Sequence, residues 1–541
     1  MAPANDGRMK ILVPVGCVAV WVVSAGCGSG SAAADRAIAA LVPRDAVVFV
    51  RLSSLDDLVA AARACAEPFG APAELLSADQ VLSQLGPMAG DTALIDRRRP
   101  LAFALVAPRA VPPSPVLFVP ARDAAKYAAS LAAVGTQPTV QEGYVALPLA
   151  GKYEKPAAPS PFCEAMPDGL VAVRIDVAKA AANLGTVIGG GLMAFKSMLG
   201  QLPVDASGVD PAAVADLYIS AAQAILRGGE TFELTADVAG GQVALKSRLV
   251  AKPGSELDGW SSPPVDVAPC AAVLTGRGAI DLVAAFDWKA LRPQLEPALD
   301  ALLDLYPPDV RAAMRSMMQG YEGLYDTIGP VVAAAASFAP DGRIGVLGQL
   351  APPDPSAWLT AIDGLVGQPW LAAAGITIAP QASGGATGAA VRDFRVTVDP
   401  QRLARSTTSS GWDLVGKMLG ADGVPVRFAA KDRRVAFGLG PRTGDVVASL
   451  GADGGAWPKA LRPALAFVRD CNPMFAERID VAALSSYMAA MNPLLAGMLA
   501  PPAGAAADIV AALGIRGAEW RAMLSIDLAG FAELVAPARR R

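Results

Sequence analysis

The sequence predicts an α+β fold made of repeated strand-helix-hairpin units, with antiparallel sheets and helices packed on one face. Three observations lead there. A strand-to-helix junction recurs along the chain, the same five residues standing at Arg174-Ile175-Asp176-Val177-Ala178 and at Arg478-Ile479-Asp480-Val481-Ala482. Pairs of alternating apolar segments flank turn residues, the pattern of β-hairpins. Between junction and hairpin lie stretches with apolar residues three and four apart, the period of a helix with one buried stripe. Runs of strands separated by helices, with no regular βαβ alternation, point to antiparallel sheet with helices to one side.

The first unit, residues 41–150, opens with the strand DAVVFVRL from Asp45, followed by Ser54 and Asp57 at the spacing of a capping box. A hairpin reading LAFALVAPRAVPPSPVLFVPA follows from Leu101. Residues 151–165 are rich in Pro and Ala and read as a linker. The second unit, 166–262, has its junction at Asp176 and its hairpin at FELTADVAGGQVALKSRLV around Gly240-Gly241. The third, 263–385, has its junction at Asp287, an apolar helical stripe through Met314, Met318 and Tyr321, and a hairpin around Pro340-Asp341-Gly342. The fourth, 386–541, has Asp399 followed by Pro400, a hairpin around Lys431-Asp432-Arg433, and a shorter terminal copy with junctions at Asp480 and Asp527. An aspartate or serine at such a junction accepts the unpaired amide protons of the first helical turn and complements its partial positive charge. Ser54, Asp176, Asp287, Asp399, Asp480 and Asp527 are therefore expected to be structural helix caps.

Composition narrows the chemistry. The chain has no histidine, which removes Ser/His and Cys/His nucleophiles and every histidine-ligated metal or haem site. Charged residues make up 18% and the formal net charge is −4, without a long block of either sign, so no nucleic-acid partner is expected. Neither a cofactor nor a metal site is expected. Asp91-Thr92-Ala93 and Asp326-Thr327-Ile328 lack the glycine that an aspartic-protease loop places third, and both read as turn or cap residues. Gly189-Gly190-Gly191 before Lys196 lacks the glycine that a phosphate loop sets directly before its lysine; Phe195 stands there. The glycine-rich run GLGPRTGD from Gly438 lacks a full dinucleotide fingerprint and reads as a hairpin end. Methionine-rich segments at 192–202 and 487–499 read first as core and, alternatively, as the lining of a pocket for an apolar ligand.

The amino terminus reads as an address. Arg8 and Lys10 precede an apolar run of residues 11–23, too short at about 13 residues to span a bilayer, where about 20 are required. Small residues then lead to Cys27, the arrangement of a secretory signal over residues 1–26. Val23-Ser24-Ala25-Gly26-Cys27 resembles the lipobox of bacterial lipoproteins, with Ser24 at the place where that family usually has Leu. The resemblance implies that Cys27 carries a diacylglycerol and becomes the first residue of the mature protein, with 27–40 as a flexible tether. Gly28 and Ser29 stand where an inner-membrane retention aspartate is common, which implies the outer membrane. Ordinary cleavage after Ala34, giving a soluble secreted or periplasmic protein, is the alternative. Leu41-Val42-Pro43-Arg44-Asp45-Ala46 is similar to the opening strand of a family of uncharacterised exported bacterial proteins, to which no activity is assigned.

In an oxidising compartment Cys65, Cys163, Cys270 and Cys471 could form two disulfides of undetermined pairing, or remain buried thiols. None of them has metal-ligand spacing. The expectation drawn from all this is a non-enzymatic, lipid-anchored envelope protein that acts as a binding or scaffold protein, with a membrane partner through the acyl chain and an apolar ligand or envelope protein as a further partner. The alternatives are a periplasmic carrier of lipid or another apolar molecule, and a histidine-free hydrolase using Ser and Lys.

Overall fold

The structure, a computed structural model, describes residues 37–539 apart from 71–76, 85–88, 109–111, 151–152, 158–159, 161, 163–165, 200–210, 275, 277, 304–307, 322–323, 325–326, 340–341, 374, 384–387, 400–418, 421, 452–456 and 492–503. The leader, Cys27, Cys163, Asp326 and Pro400 lie outside the described residues. The fold is α+β with antiparallel sheet, as the sequence predicts. The chain folds as two compact units.

The first unit takes residues 1–185, 229–250 and 525–536. Its strands are β1 (Ala46–Ser54), β2 (Pro100–Val106), β3 (Ser114–Pro120), β4 (Thr139–Gln141), β5 (Tyr144–Pro148), β6 (Val171–Asp176), β7 (Gly229–Ala239) and β8 (Gln242–Ala251). Antiparallel pairing gives the order β4-β5-β3-β2-β1-β6-β7. Gly240 and Gly241 both have positive φ between β7 and β8, the backbone that a two-residue hairpin turn of matching twist requires.

The period-2 alternation of β3 divides the apolar residues between two faces. Val116 and Phe118 join Phe49, Ala102, Ala104, Tyr144 and Ala146 on one side. Val119 and Val145 join helices α1 (Leu55–Ala66), α2 (Ala78–Gln84) and α3 (Ala124–Ala132) on the other, through Leu55, Val59, Leu82, Tyr127 and Leu131. Burying side chains of this size contributes roughly 1.5 to 3 kcal/mol each.

Two segments differ from the sequence expectation. Of the tether 27–40, residues 37–40 are packed, with Ile38 and Ala39 fully buried against Phe49 and Phe118. Of the linker 151–165, Tyr153 is buried in the same cluster and its hydroxyl donates to Leu41 O at 2.7 Å. Pro and Ala composition suggests a linker, yet one aromatic and one isoleucine suffice to bring both segments onto the sheet.

The second unit takes 186–228, 251–524 and 537–541. Its strands are β9 (Ile280–Ala285), β10 (Val331–Phe338), β11 (Ile344–Leu350), β12 (Ile376–Gln381), β13 (Ala390–Val398), β14 (Val424–Lys431), β15 (Arg434–Leu439), β16 (Met474–Asp480), β17 (Asp508–Arg516) and β18 (Glu519–Asp527), the end of the last belonging to the first unit. The order β12-β13-β14-β15-β11-β10-β9-β16-β17 is again antiparallel throughout. Its helices include α4 (Val177–Leu199), which starts in the first unit, α5 (Pro211–Gly228), α6 (Trp288–Leu303), α7 (Pro308–Gly320), α8 (Pro355–Asp363) and α9 (Val481–Met491). Trp358, Leu359 and Ile362 of α8 pack on Phe394, Ala430 and Val435 of the sheet.

The two units share a topological core. In the first, β1 lies between β2 and β6, and β6 pairs next with β7. In the second, β9 lies between β10 and β16, and β16 pairs next with β17. The identical pentapeptides thus end equivalent strands, β6 and β16, and Ser54 and Asp287 lie at the ends of equivalent strands, β1 and β9.

Candidate functional site: a buried arginine among carboxylates

Asp281 stands on β9, Arg478 and Asp480 on β16 and Asp508 at the start of β17. Register places Arg478 opposite Asp281 and Asp480 opposite Asp508. Residues two apart on a strand share a face, as do directly paired residues on neighbouring strands, so these four side chains converge on one side of the sheet.

The Arg478 guanidinium is the hub. Its Nη1 donates to Asp281 Oδ2 at 3.0 Å and to Gly278 O at 3.0 Å. Its Nη2 reaches Asp508 Oδ1 at 2.8 Å and Asp480 Oδ2 at 3.4 Å. Asp480 is bound from both sides, since its Oδ1 accepts the amides of Ala482 and Ala483 at 3.0 and 3.1 Å. Asp281 is fully buried and Arg478 nearly so.

Burial pushes the Asp281 carboxyl above the usual carboxylate range; Arg478 opposes this and the neighbouring Asp508 adds to it. Burial alone would lower Arg478, but the Asp508 and Asp281 carboxylates outweigh it and hold the guanidinium above its ordinary value. Arg478 fills the place that a cation would take among the three carboxylates. Among the described residues no group of Cys, Asp and Glu is arranged to hold a metal ion. With Asp281 fully buried, and with Asp281, Asp480 and Asp508 all directed at one guanidinium, the cluster ties three neighbouring strands together.

The equivalent arginine of the first unit has milder surroundings. Arg174 lies 3.4 Å from Glu233, its cross-strand partner on β7, and its guanidinium sits over the Phe162 ring.

The other candidate residues are dispersed along the sheets. Ser54 Oγ accepts the amide of Asp57 at 3.1 Å and donates to its carboxylate at 2.6 Å. Asp176 accepts the amide of Lys179 at 2.8 Å, and Asp287 that of Ala290 at 3.2 Å. Asp527 accepts the amide of Gly530 at 3.1 Å, at the start of the terminal helix Leu528–Arg539. Asp399 follows β13, and the residues after it lie outside the described set. Asp91 Oδ1 accepts the amide of Ala93. Gly189-Gly190-Gly191 lie within α4, and the run from Gly438 ends β15 and turns into the short 3-10 helix Gly440–Asp445.

Cys270 and Cys471 are buried free thiols, and burial pushes the Cys270 thiol up to about 11. Tyr487, in one methionine-rich stretch, stacks on Phe338 at 3.8 Å between ring centres. Each unit also carries a cleft. One of about 430 Å³ is lined by Arg44, Asp45, Val106, Val116, Glu154 and Lys155. Another of about 320 Å³ lies among Asp266, Trp457, Leu465, Arg469 and Met474.

The sequence marks Asp480 as a cap and passes over Asp281 and Asp508, which carry no helix-start signal. An arginine two places before a junction aspartate on a strand is the available clue: both must point to the same face.

No family model matches this chain, and no curated protein matches it. Among solved structures, crystal form III of TP0453 is similar at 11% identity with a TM-score of 0.24, covering 50% of this chain and 98% of that one. Crystal form I of TP0453 is similar at 10% identity with the same score and coverage.

Proposed function

We propose that this chain is an exported, lipid-anchored envelope protein that works as a non-enzymatic binding or scaffold protein. The carrying observation is the leader itself, with Arg8 and Lys10, the apolar residues 11–23, and small residues up to Cys27. What the aspartates do supports the non-enzymatic part of this reading. Asp176, Asp287, Asp480 and Asp527 accept helix amides, and Asp281 is enclosed with Arg478, so these acids are engaged in holding the fold. Anchoring in the outer membrane is the finer form of the proposal.

The test is Cys27→Ser in cells fed labelled fatty acid. The expected result is loss of the label and release of the protein from the membrane fraction. Continued labelling of the variant would exclude this anchor, and full-length precursor in the cytosol would exclude export.

A further inference from the structure

Ten large apolar side chains are notably exposed among the described residues, and six of them sit on two helices of one unit, α4 and α5. Val187, Met193, Met198 and Tyr218 are 68, 62, 58 and 63% exposed, and Phe195 and Ile225 are exposed as well. Lys196 of α4 and Asp216 of α5 form an ion pair at 2.5 Å, which links the two helices.

The exposed residues of α4 do not form one stripe. At about 100° per residue, Phe195, Met198 and Met193 lie roughly 80°, 20° and 240° round the axis from Val187. A partner protein covers one side of a helix, whereas acyl chains can surround it. Residues 180–195 contain no charged side chain at all. Both flanking lysines are paired, Lys179 with Asp176 at 3.2 Å and Lys196 with Asp216.

Glycine is an independent sign. A side-chain carbon added at Gly185, Gly189, Gly190 or Gly191 would meet nothing within 4 Å, so close packing against protein does not account for these four residues. In water each weakens a helix relative to alanine. In hydrocarbon the backbone has no water to bond to and stays helical, which is why glycine is more common in membrane helices than in soluble ones.

We propose that the paired helices α4 and α5 are a membrane-inserting element, their apolar surface embedded in one leaflet of a phospholipid bilayer. Length sets the depth. The stretch Val177–Met198 is long and apolar enough to cross a membrane, but Val177 and Ala180 are buried in the protein. The free part, 186–199, measures about 21 Å at 1.5 Å per residue, short of the ~30 Å hydrocarbon core. The inference rests on the membrane location proposed above, since an acyl chain at Cys27 would hold these helices within reach of lipid.

The experiment uses the full protein taken from its own membranes. It is reconstituted into phosphatidylethanolamine and phosphatidylglycerol vesicles doped with a phospholipid bearing a diazirine in its acyl chain, irradiated and digested with trypsin. The tryptic peptides 180–196 and 197–227 are expected to carry lipid adducts. In the double variant Met193→Glu and Met198→Glu, with an unchanged circular dichroism spectrum and melting curve, adducts there should fall by at least about tenfold. Acylated Cys27 with no adduct on either peptide would overturn insertion and leave the anchor standing. Adducts on both peptides in protein whose intact mass shows no acyl group would sink the anchor and leave insertion standing. Crosslinked dimers through 186–228 without lipid adducts would overturn insertion in favour of a second copy of the chain.

Discussion

Arg478 faces Asp281, Asp480 and Asp508, and removing it would leave the fully buried Asp281 uncompensated beside two partly buried carboxylates. Arg478→Met is expected to destabilise the protein by roughly 3 to 5 kcal/mol at pH 7, the cost typical of an uncompensated buried charge. The pH dependence follows from sign. Burial already holds the Asp281 carboxyl above its unfolded value near 3.9, and losing the guanidinium removes the charge that opposes this, so the folded state holds more protons than the unfolded one. The penalty is then full above that raised value and disappears as pH falls toward 3.9. Denaturant unfolding of the variant at pH 7 and pH 4.5 should show a smaller loss at the lower pH; an equal loss at both would mean that the carboxylates do not repel one another. At the junctions, Asp176→Ala is expected to cost about 1 kcal/mol, the value of a cap. Asp480→Ala should cost more, because it removes a partner of Arg478 as well as the cap. Thermal melts of the two variants check the order.

At the scale of elements, the hairpins follow their residues closely. The segments flanking Pro340-Asp341-Gly342 and Lys431-Asp432-Arg433 are antiparallel pairs, β10 with β11 and β14 with β15, and Asp432 takes the positive φ that such a tight turn demands. Alternation is a local property and needs no knowledge of the partner strand. The pairing of β11 with β15 is different, because it joins residues about ninety positions apart. There Gly348 faces Phe437, and a side-chain carbon at Gly348 would come within 2.1 Å of the ring. The aromatic lies where a larger residue would otherwise stand. Gly348→Val is expected to destabilise by about 1 to 3 kcal/mol through overpacking. A matching melt of the Phe437→Ala variant with and without Gly348→Val should show the two changes compensating, and strictly additive losses would rule out this contact as the cause.

At the scale of the whole molecule, two units repeat one arrangement of strands, each with an arginine-aspartate junction at the end of the strand next to β1 or β9. The sequence by itself determined the α+β class, the hairpins, the strand-to-helix junctions and the exclusion of histidine chemistry, because each depends on residues within one or two turns of each other or on composition alone. The tertiary structure decided which strands are neighbours, and with that the meeting of Asp281, Arg478 and Asp508 from three strands. It also brought Ile38 and Tyr153 onto the sheet out of segments that read as tether and linker, and it left α4 and α5 with apolar residues facing outward. Periodicity records that a face is apolar, but what covers that face depends on chain brought in from far along the sequence, or on a surface outside the chain altogether.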